Sequence, residues 1–424
     1  MRDLWLVVYN LLGVPALWLF FKLYSLFNSK VREGLKERRD LFSDLSRSLS
    51  AFDNKKTVVI HSSSLGEYQQ SIPLMDQLLK KNYNVLHSFF SPSGYNNCKL
   101  TTRNVGKTYL PLDSFGKSRK FIDTINPEML IFMRYDLWYN LLYNSRKRKI
   151  RLVVANARYD EKDKTWTLPI ISSFKKTMYR MLDDVFVIDD FDAENYKKIL
   201  DGHGPKVVRA GDSKFERVYQ TASVKNVDGI FPGLDLSSKK VFVMGSSWKD
   251  DEDVILPAID KALKYNKELL TLLVPHEPKP TKISAIEKSL EDHLNIRSIR
   301  LSEIEKYTDE NLIIIDRMGI LSRLYSIAYV SYVGGGLKTG LHNILEPAIF
   351  NMPIFFANEV KNSDEDEILI QNGCGIVVMN TKQFYRRFRE LLSDTKLRDE
   401  IGSKCKEVFS NSVGIAESIV NKIT

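Results

Sequence analysis

The sequence predicts two doubly wound α/β domains in series behind an apolar N-terminal helix. Short, continuous apolar runs rich in β-branched residues alternate with amphipathic stretches, the pattern of buried parallel strands joined by helices. The alternation halts over residues 220–239, a polar stretch with Gly229, Pro232 and Gly233, and then resumes. A chain of 424 residues has enough material for each half to build its own core.

Residues 4–27 are almost wholly apolar and aromatic, with Lys22 the only charge and Gly13 and Pro15 midway. About 20 such residues cross a bilayer, so residues 1–29 read as a membrane anchor. A cleavable signal peptide fits less well: only Arg2 is basic at the start, and Asn28-Ser29-Lys30 follows where small residues would mark cleavage. Residues 30–50 form a basic juxtamembrane segment with Lys30, Arg32, Lys36, Arg38 and Arg39. By the positive-inside rule this flank places the rest of the chain in the cytoplasm, and it suits contact with anionic headgroups.

The first domain, 51–219, takes strands near 57–60, 85–89, 129–132, 152–154 and 185–188, with helical stretches such as 74–81 and 118–125 between them. After the linker at 220–239, the second domain, 240–424, takes strands near 241–244, 270–274, 312–315, 328–333 and 353–356. Its helical tail, from about 381 to 424, is expected to pack on one domain or bridge both.

Lys and Arg outnumber Asp and Glu by 62 to 53, an excess of nine that favours acidic partners such as nucleotides or anionic lipids. Outside the juxtamembrane segment the excess is diffuse. The run Arg146-Lys147-Arg148-Lys149 reads as a solvated helix end, so a nucleic-acid partner is not expected. Cys98, Cys374 and Cys405 lie far apart without C-x-x-C spacing, which fits a reducing compartment and argues against structural zinc.

In open parallel sheets ligands bind beyond the carboxyl ends of strands, so polar residues there are the candidates. The first strand leads into His61-Ser62-Ser63-Ser64-Leu65-Gly66-Glu67, where Glu67 also suits a first-turn acid facing the helix dipole. Asp136, after Met133-Arg134-Tyr135, admits the same two readings. The second domain offers Gly245-Ser246-Ser247, Pro275-His276-Glu277 and Asp316-Arg317-Met318-Gly319. It also offers the apolar run 327–333, which ends in Gly334-Gly335-Gly336 before a helical pattern opens near His342. Glycine amides and a helix N-terminus are expected to converge there on an anion. The turn matches neither G-x-G-x-x-G nor a Walker A loop, so it points to a nucleotide without specifying which.

Read together, these pieces resemble the membrane-anchored 3-deoxy-D-manno-octulosonic acid (Kdo) transferases of lipopolysaccharide assembly. The resemblance runs over nearly the whole chain. It includes the anchor and its flank with Gly34, 60–67, Ser91-Pro92-Ser93-Gly94, 109–113, Asp136-Leu137-Trp138, Asn140-Leu141 and Ala155-Asn156-Ala157-Arg158. It continues through Gly211, Lys214-Phe215, Gly245-Ser246, Val274-Pro275, Asp316 with Met318-Gly319, and 333–348. Order and spacing, more than any single piece, make the signal.

That resemblance implies a GT-B fold of two Rossmann-like domains facing across a cleft, and an inverting transfer without a metal ion or cofactor. The donor would be CMP-Kdo, held by the second domain. The acceptor would be the lipid A precursor, lipid IVA, approached from the first domain at the cytoplasmic side of the cell inner membrane. It implies Glu67 as general base, since a hydroxyl is a poor nucleophile until its proton is taken, and Lys214 as support for the reacting sugar or leaving phosphate. Nucleotide contacts would fall on Pro275, His276, Met318, Gly319, Ile320, Gly335, Gly336, Asn343, Ile344, Leu345 and Glu346.

The sequence departs from the commoner family pattern at Arg134 and Asp136, where many members carry M-E-T-E-x-W. It departs again at His276 in place of an arginine, and at Ile320 in place of the glutamate of M-G-E. Two other readings remain at this point. One is a GT-B enzyme acting on a different sugar nucleotide, an epimerase included, although an epimerase needs no anchor. The other is a non-catalytic, membrane-tethered nucleotide-binding protein.

Overall fold

The computed structural model describes residues 2–222, 227, 229–359, 365–410 and 412–424. The chain divides into two compact units, Met1–Arg217 with Gly414–Thr424, and Val218–Val413.

The first unit is built on seven parallel strands: β1 Thr57–Ser62, β2 Asn84–Phe89, β3 Val105–Tyr109, β4 Met129–Met133, β5 Arg151–Ala157, β6 Asp184–Val187 and β7 Lys206–Arg209. Their order is β3-β2-β1-β4-β5-β6-β7. Helices cover both faces, which is why the central strands read as unbroken apolar runs: Val58 and Ile60 enter one core, while Val59 between them enters the other. The strand order reverses between β1 and β4, and the crevice this opens lies beyond their carboxyl ends.

The second unit repeats the plan with β8 Lys240–Ser247, β9 Leu269–Pro275, β10 Ser298–Arg300, β11 Leu312–Ile314, β12 Val330–Val333, β13 Ile354–Phe356 and β14 Gly375–Val377. The order is β10-β11-β9-β8-β12-β13-β14, so here the switch lies between β8 and β12.

Two placements differ from those the sequence suggested. The C-terminal helix Ile415–Ile423 belongs to the first unit, not to a second domain running through residue 424. Its apolar stripe, Ile415, Ala416, Ile419, Val420 and Ile423, completes the core that contains Val58 and Ile60. Its backbone is tied down by Glu216, which accepts from the Ala416 N–H at 2.8 Å, and by Arg151, which donates to the Ile423 carbonyl at 2.9 Å. The helix expected from His342 instead begins at Leu345 and runs only to Ala348. Part of the 220–239 linker lies outside the described residues.

The apolar N-terminal segment is one helix, Arg2–Phe27, with a π-helical turn over Tyr9–Gly13. One side docks on the first unit. Trp5 and Tyr9 pack on Phe174 at centroid distances of 5.1 and 5.5 Å, and Phe21 on Phe90 at 5.3 Å. Asn10 and Asn140 exchange reciprocal amide hydrogen bonds of 2.9 Å. Asn140 is fixed in turn by the buried Asp113, whose carboxylate accepts from the Asn140 and Leu141 N–H groups and the Ser118 hydroxyl. The other side of the helix leaves Leu4, Leu11, Leu12, Leu19, Phe20, Leu23 and Leu26 exposed.

Candidate active site

At the switch point of the first unit, β1 runs into the turn before helix Leu65–Lys80. Ser64 is its N-cap and accepts from the Glu67 N–H at 3.4 Å. The buried Glu67 carboxylate folds back over the turn and accepts from the Ser63 N–H and, at 2.7 Å, from the Ser63 hydroxyl. Both bonds fall on Oε2, which fixes the carboxyl plane while Oε1 carries no hydrogen bond among the described residues.

Across the crevice, β4 delivers Arg134 and Asp136. Arg134 holds a left-handed backbone, φ 62°, which turns its side chain so that Nε donates to Gln70 Oε1 at 3.2 Å. Gln70 is one helical turn beyond Glu67, so Arg134 and Glu67 border the same rim. Asp136 accepts from His61 Nε2 at 2.9 Å, and the other ring nitrogen of His61 meets the Ser88 hydroxyl, also at 2.9 Å. Asp136 is therefore a partner of a strand-end histidine, not a first-turn helix acid: the next helix starts only at Tyr139.

The polar chain continues from Gln70 through Asn156, another left-handed residue at φ 56°, whose amide donates to Asp212 at 3.1 Å and to Ser213 at 2.8 Å. Asp212 accepts from the Lys214 N–H at 2.8 Å. A hydrogen-bonded chain thus runs from Gln70, one helical turn past Glu67, to the Lys214 backbone N–H. His61, Gln70 and Asn156 were not singled out as site residues. His61 and Asn156 lie in the motifs quoted above and Gln70 one turn past Glu67 in helix Leu65–Lys80, but only their mutual geometry gives them a role.

In the second unit the switch point is organised by Asp251. This buried carboxylate accepts from the N–H groups of Trp248 and Gly335 at 2.9 Å each, and from the Tyr332 hydroxyl at 2.7 Å, so it ties the end of β8 to the end of β12. Burial pushes its pKa up, against the pull of those three donors. Trp248 Nε1 donates to His342 Nε2 at 3.0 Å, and His276 packs against both rings, 4.7 Å from Trp248 and 4.4 Å from His342. Burial, and then the neighbouring His276, lower the pKa of His342.

The glycine turn does not form the anion cradle expected of it. The Gly335 N–H is taken by Asp251 and the Gly334 N–H by the Gly245 carbonyl, while Gly335 O accepts from the Lys338, Thr339 and Gly340 amides. The glycines answer to packing: a Cβ on Gly336 would lie 1.7 Å from the Ala357 carbonyl oxygen, and one on Gly334 2.4 Å from that of Ser246. Gly335 has φ +95°.

The remaining expected contacts sit beyond the same strand ends. Pro275 closes β9, and the His276 N–H donates to the Ser247 carbonyl at 3.0 Å. Met318 is exposed and Gly319 adopts φ +85°. Ile320 caps a helix that begins at Leu321, later than Met318-Gly319 suggested. Asn343 accepts from the Leu345 N–H at 3.1 Å and donates to Glu346 at 3.3 Å, while Ile344 and Leu345 are buried beneath them.

With this geometry in view, the chain can be set beside known proteins. The family described as 3-deoxy-D-manno-octulosonic-acid transferase (kdotransferase) matches residues 33–217, the span that carries Glu67, Arg134, Asp136 and Lys214. A 3-deoxy-D-manno-octulosonic acid transferase of Haemophilus influenzae is 26% identical over 96% of this chain and 94% of its own length. Over residues 33–217, then, the chain is similar to the Kdo transferase family. A bifunctional glycosyltransferase/methyltransferase of Fusobacterium nucleatum is 27% identical over 98% of this chain, which spans 63% of that longer protein. The UDP-GlcNAc 2-epimerase of Neisseria meningitidis shares the architecture, with a TM-score of 0.60 over 87% of this chain and 99% of its own at 13% identity. That likeness shows the GT-B-type fold alone. The matched family and the Haemophilus relative are both described as 3-deoxy-D-manno-octulosonic acid transferases, which are glycosyltransferases.

Proposed function

We propose that the protein transfers Kdo from CMP-Kdo to a hydroxyl of the lipid A precursor, lipid IVA, with inversion at the anomeric carbon and without a metal ion. One observation supports this above the others: a buried carboxylate at the switch point of the first unit, held by Ser63 through one oxygen with the other open. Oε1 of Glu67 takes the acceptor's hydroxyl proton as that oxygen bonds to the anomeric carbon. The bond from that carbon to the CMP phosphate breaks, and the electron pair leaves on CMP. Lys214, at the far end of the hydrogen-bonded chain from Gln70, supports the charge that develops on the sugar or phosphate.

Residues 51–219 serve as the acceptor domain and 240–413 hold the donor. In the donor domain the nucleotide contacts fall on Pro275, His276, Met318–Ile320 and Asn343–Glu346. Gly335 acts through its backbone conformation, since its N–H is committed to Asp251, and Gly336 lets the chain pass close to Ala357. The protein works on the cytoplasmic face of the inner membrane. Its N-terminal helix lies against the first unit as a monotopic anchor: a helix that holds Asn10 in a half-buried amide pair with Asn140 presents its other face to lipid.

The test is incubation with CMP-Kdo generated in place and tetraacylated lipid A precursor, in chelator, followed by mass spectrometry and anomeric NMR. The proposal expects a lipid heavier by one or more Kdo units, with the anomeric configuration opposite to the donor's. An unchanged lipid, or transfer only on adding a divalent cation, would refute it.

A further inference from the structure

The helix Val14–Phe27 carries a single charge, Lys22, whose ammonium sits over the Trp18 ring at 4.7 Å. A charge on a bilayer helix is costly unless it is given a polar partner. Here it faces a cavity of about 520 Å³ between the helix and the body of the first unit, within the size range of ligand sites.

Three cations from separate elements meet in that cavity: Lys22 from the anchor helix, Arg39 from the turn after Ser29–Glu37, and Lys117 from the first turn of Phe115–Ile125. No acid lines it. None of the three has an ion-pair partner among the described residues. Arg38, beside them, is by contrast committed to the carbonyls of Gly34, Phe90 and Leu110. A smaller neighbouring cavity of about 60 Å³ shares Trp18, Leu112 and Lys117. It includes Asp113, whose carboxylate is already occupied by Asn140, Leu141 and Ser118.

Three like charges brought together with apolar walls of Trp18, Phe42 and Leu112 suit a ligand that is anionic at one end and apolar at the other. We infer that this cavity binds the phosphate-bearing headgroup of one lipid molecule, whose acyl chains follow the exposed face of the anchor helix past Leu19 and Leu23. A free phosphate would leave the apolar walls unused. The anchor helix that walls the cavity is also linked, contact by contact, to the turn that carries Glu67. Phe21 packs on Phe90, Phe90 stacks on Trp138 at 5.0 Å, and the Ser91 N–H donates to the carbonyl of Ser63, the residue that holds Glu67.

The site stands apart from the transfer reaction because lipid retention is read without turnover. The full chain, purified in detergent, is offered phosphatidylglycerol in one arm and the bisphosphorylated, tetraacylated glucosamine disaccharide lipid in the other, and bound lipid is counted by native mass spectrometry. One phosphate lipid per chain is expected, and the arm that shows it identifies a bulk phospholipid or the glycolipid as the source. Arg39→Gln/Lys117→Gln weakens retention by about fivefold per cation removed. Lys30→Gln/Lys36→Gln removes equal charge from residues outside the cavity and leaves the single lipid bound. No retained lipid in either arm, or equal loss in the two double variants, would overturn the site and leave only diffuse attraction to anionic surfaces.

Discussion

Replacing Asp251 isolates what holds the glycine turn of the second unit together. In Asp251→Ala the buried Gly335 N–H and Tyr332 hydroxyl lose their acceptor, and the Trp248 N–H is left to solvent. Each buried group left unpaired costs ~1–3 kcal/mol, and relief from burying the carboxylate returns part of that, for a net loss of about 3 kcal/mol. Against a typical domain stability of ~5–15 kcal/mol this is severe. Asp251→Asn keeps the shape: its oxygen accepts from both amides and its NH₂ donates to the Tyr332 oxygen, for a loss of about 1 kcal/mol. The gap of about 2 kcal/mol is roughly 30-fold in an equilibrium constant. It is read as the difference between the variants' urea midpoints for the second unit, and as weaker stabilisation by CMP in Asp251→Ala. If Ala and Asn are equally mild, Asp251 does not tether the glycine turn.

Other expected outcomes follow from the same geometry. Gly336→Ala drives a methyl into the Ala357 carbonyl and abolishes folding of the second unit, whereas Gly319→Ala meets nothing within 4 Å and costs only the ~1–2 kcal/mol of its left-handed backbone, both measurable by thermal melting. His342 has a folded pKa below its ordinary 6.5, so the stability it contributes is present above pH 6.5 and is lost as pH falls through the folded value. Protonated, it no longer accepts from Trp248, so acidification through that lowered folded pKa weakens CMP binding in the wild type and has less effect in Trp248→Phe, read by titration at several pH values. Asn10→Leu leaves the Asn140 amide short of a partner and costs ~1–2 kcal/mol, seen as faster proteolysis within residues 2–27 of the detergent-held protein. An unchanged rate would mean the helix is not docked there.

The parts of this fold that could be read in advance are those buried on both sides. The central strands β1, β4, β5, β8, β9 and β12 appear in the sequence as apolar runs because each feeds two cores. The edge strands carry no such run: β7, β10 and β14 are short with half-exposed residues, and β3, though mostly buried, reads Val-Gly-Lys-Thr-Tyr, so the sequence reading does not include Val105–Tyr109, Lys206–Arg209, Ser298–Arg300 or Gly375–Val377. Glu67 is conspicuous in the sequence as a lone carboxylate after a serine-rich strand end, which reads equally as a first-turn helix acid; its role as base comes from the family resemblance. Asp251 is not conspicuous: within Asp250-Asp251-Glu252-Asp253 it looks like one more first-turn acid, and only the folded chain brings Tyr332 and Gly335 to it. The glycine turn was read as an anion cradle because sequence shows which residues permit close approach, but not what approaches. Here it is the Ala357 backbone and the Asp251 carboxylate.

The most direct test of the central claim is single-turnover Kdo transfer by wild type and Glu67→Gln, with CMP binding measured in parallel. The glutamine keeps an oxygen for the Ser63 N–H and hydroxyl, so the turn stays folded and CMP affinity is unchanged, while loss of the base slows transfer by ~10²–10⁴. Transfer by Glu67→Gln at the wild-type rate, with CMP bound equally well, would contradict the account.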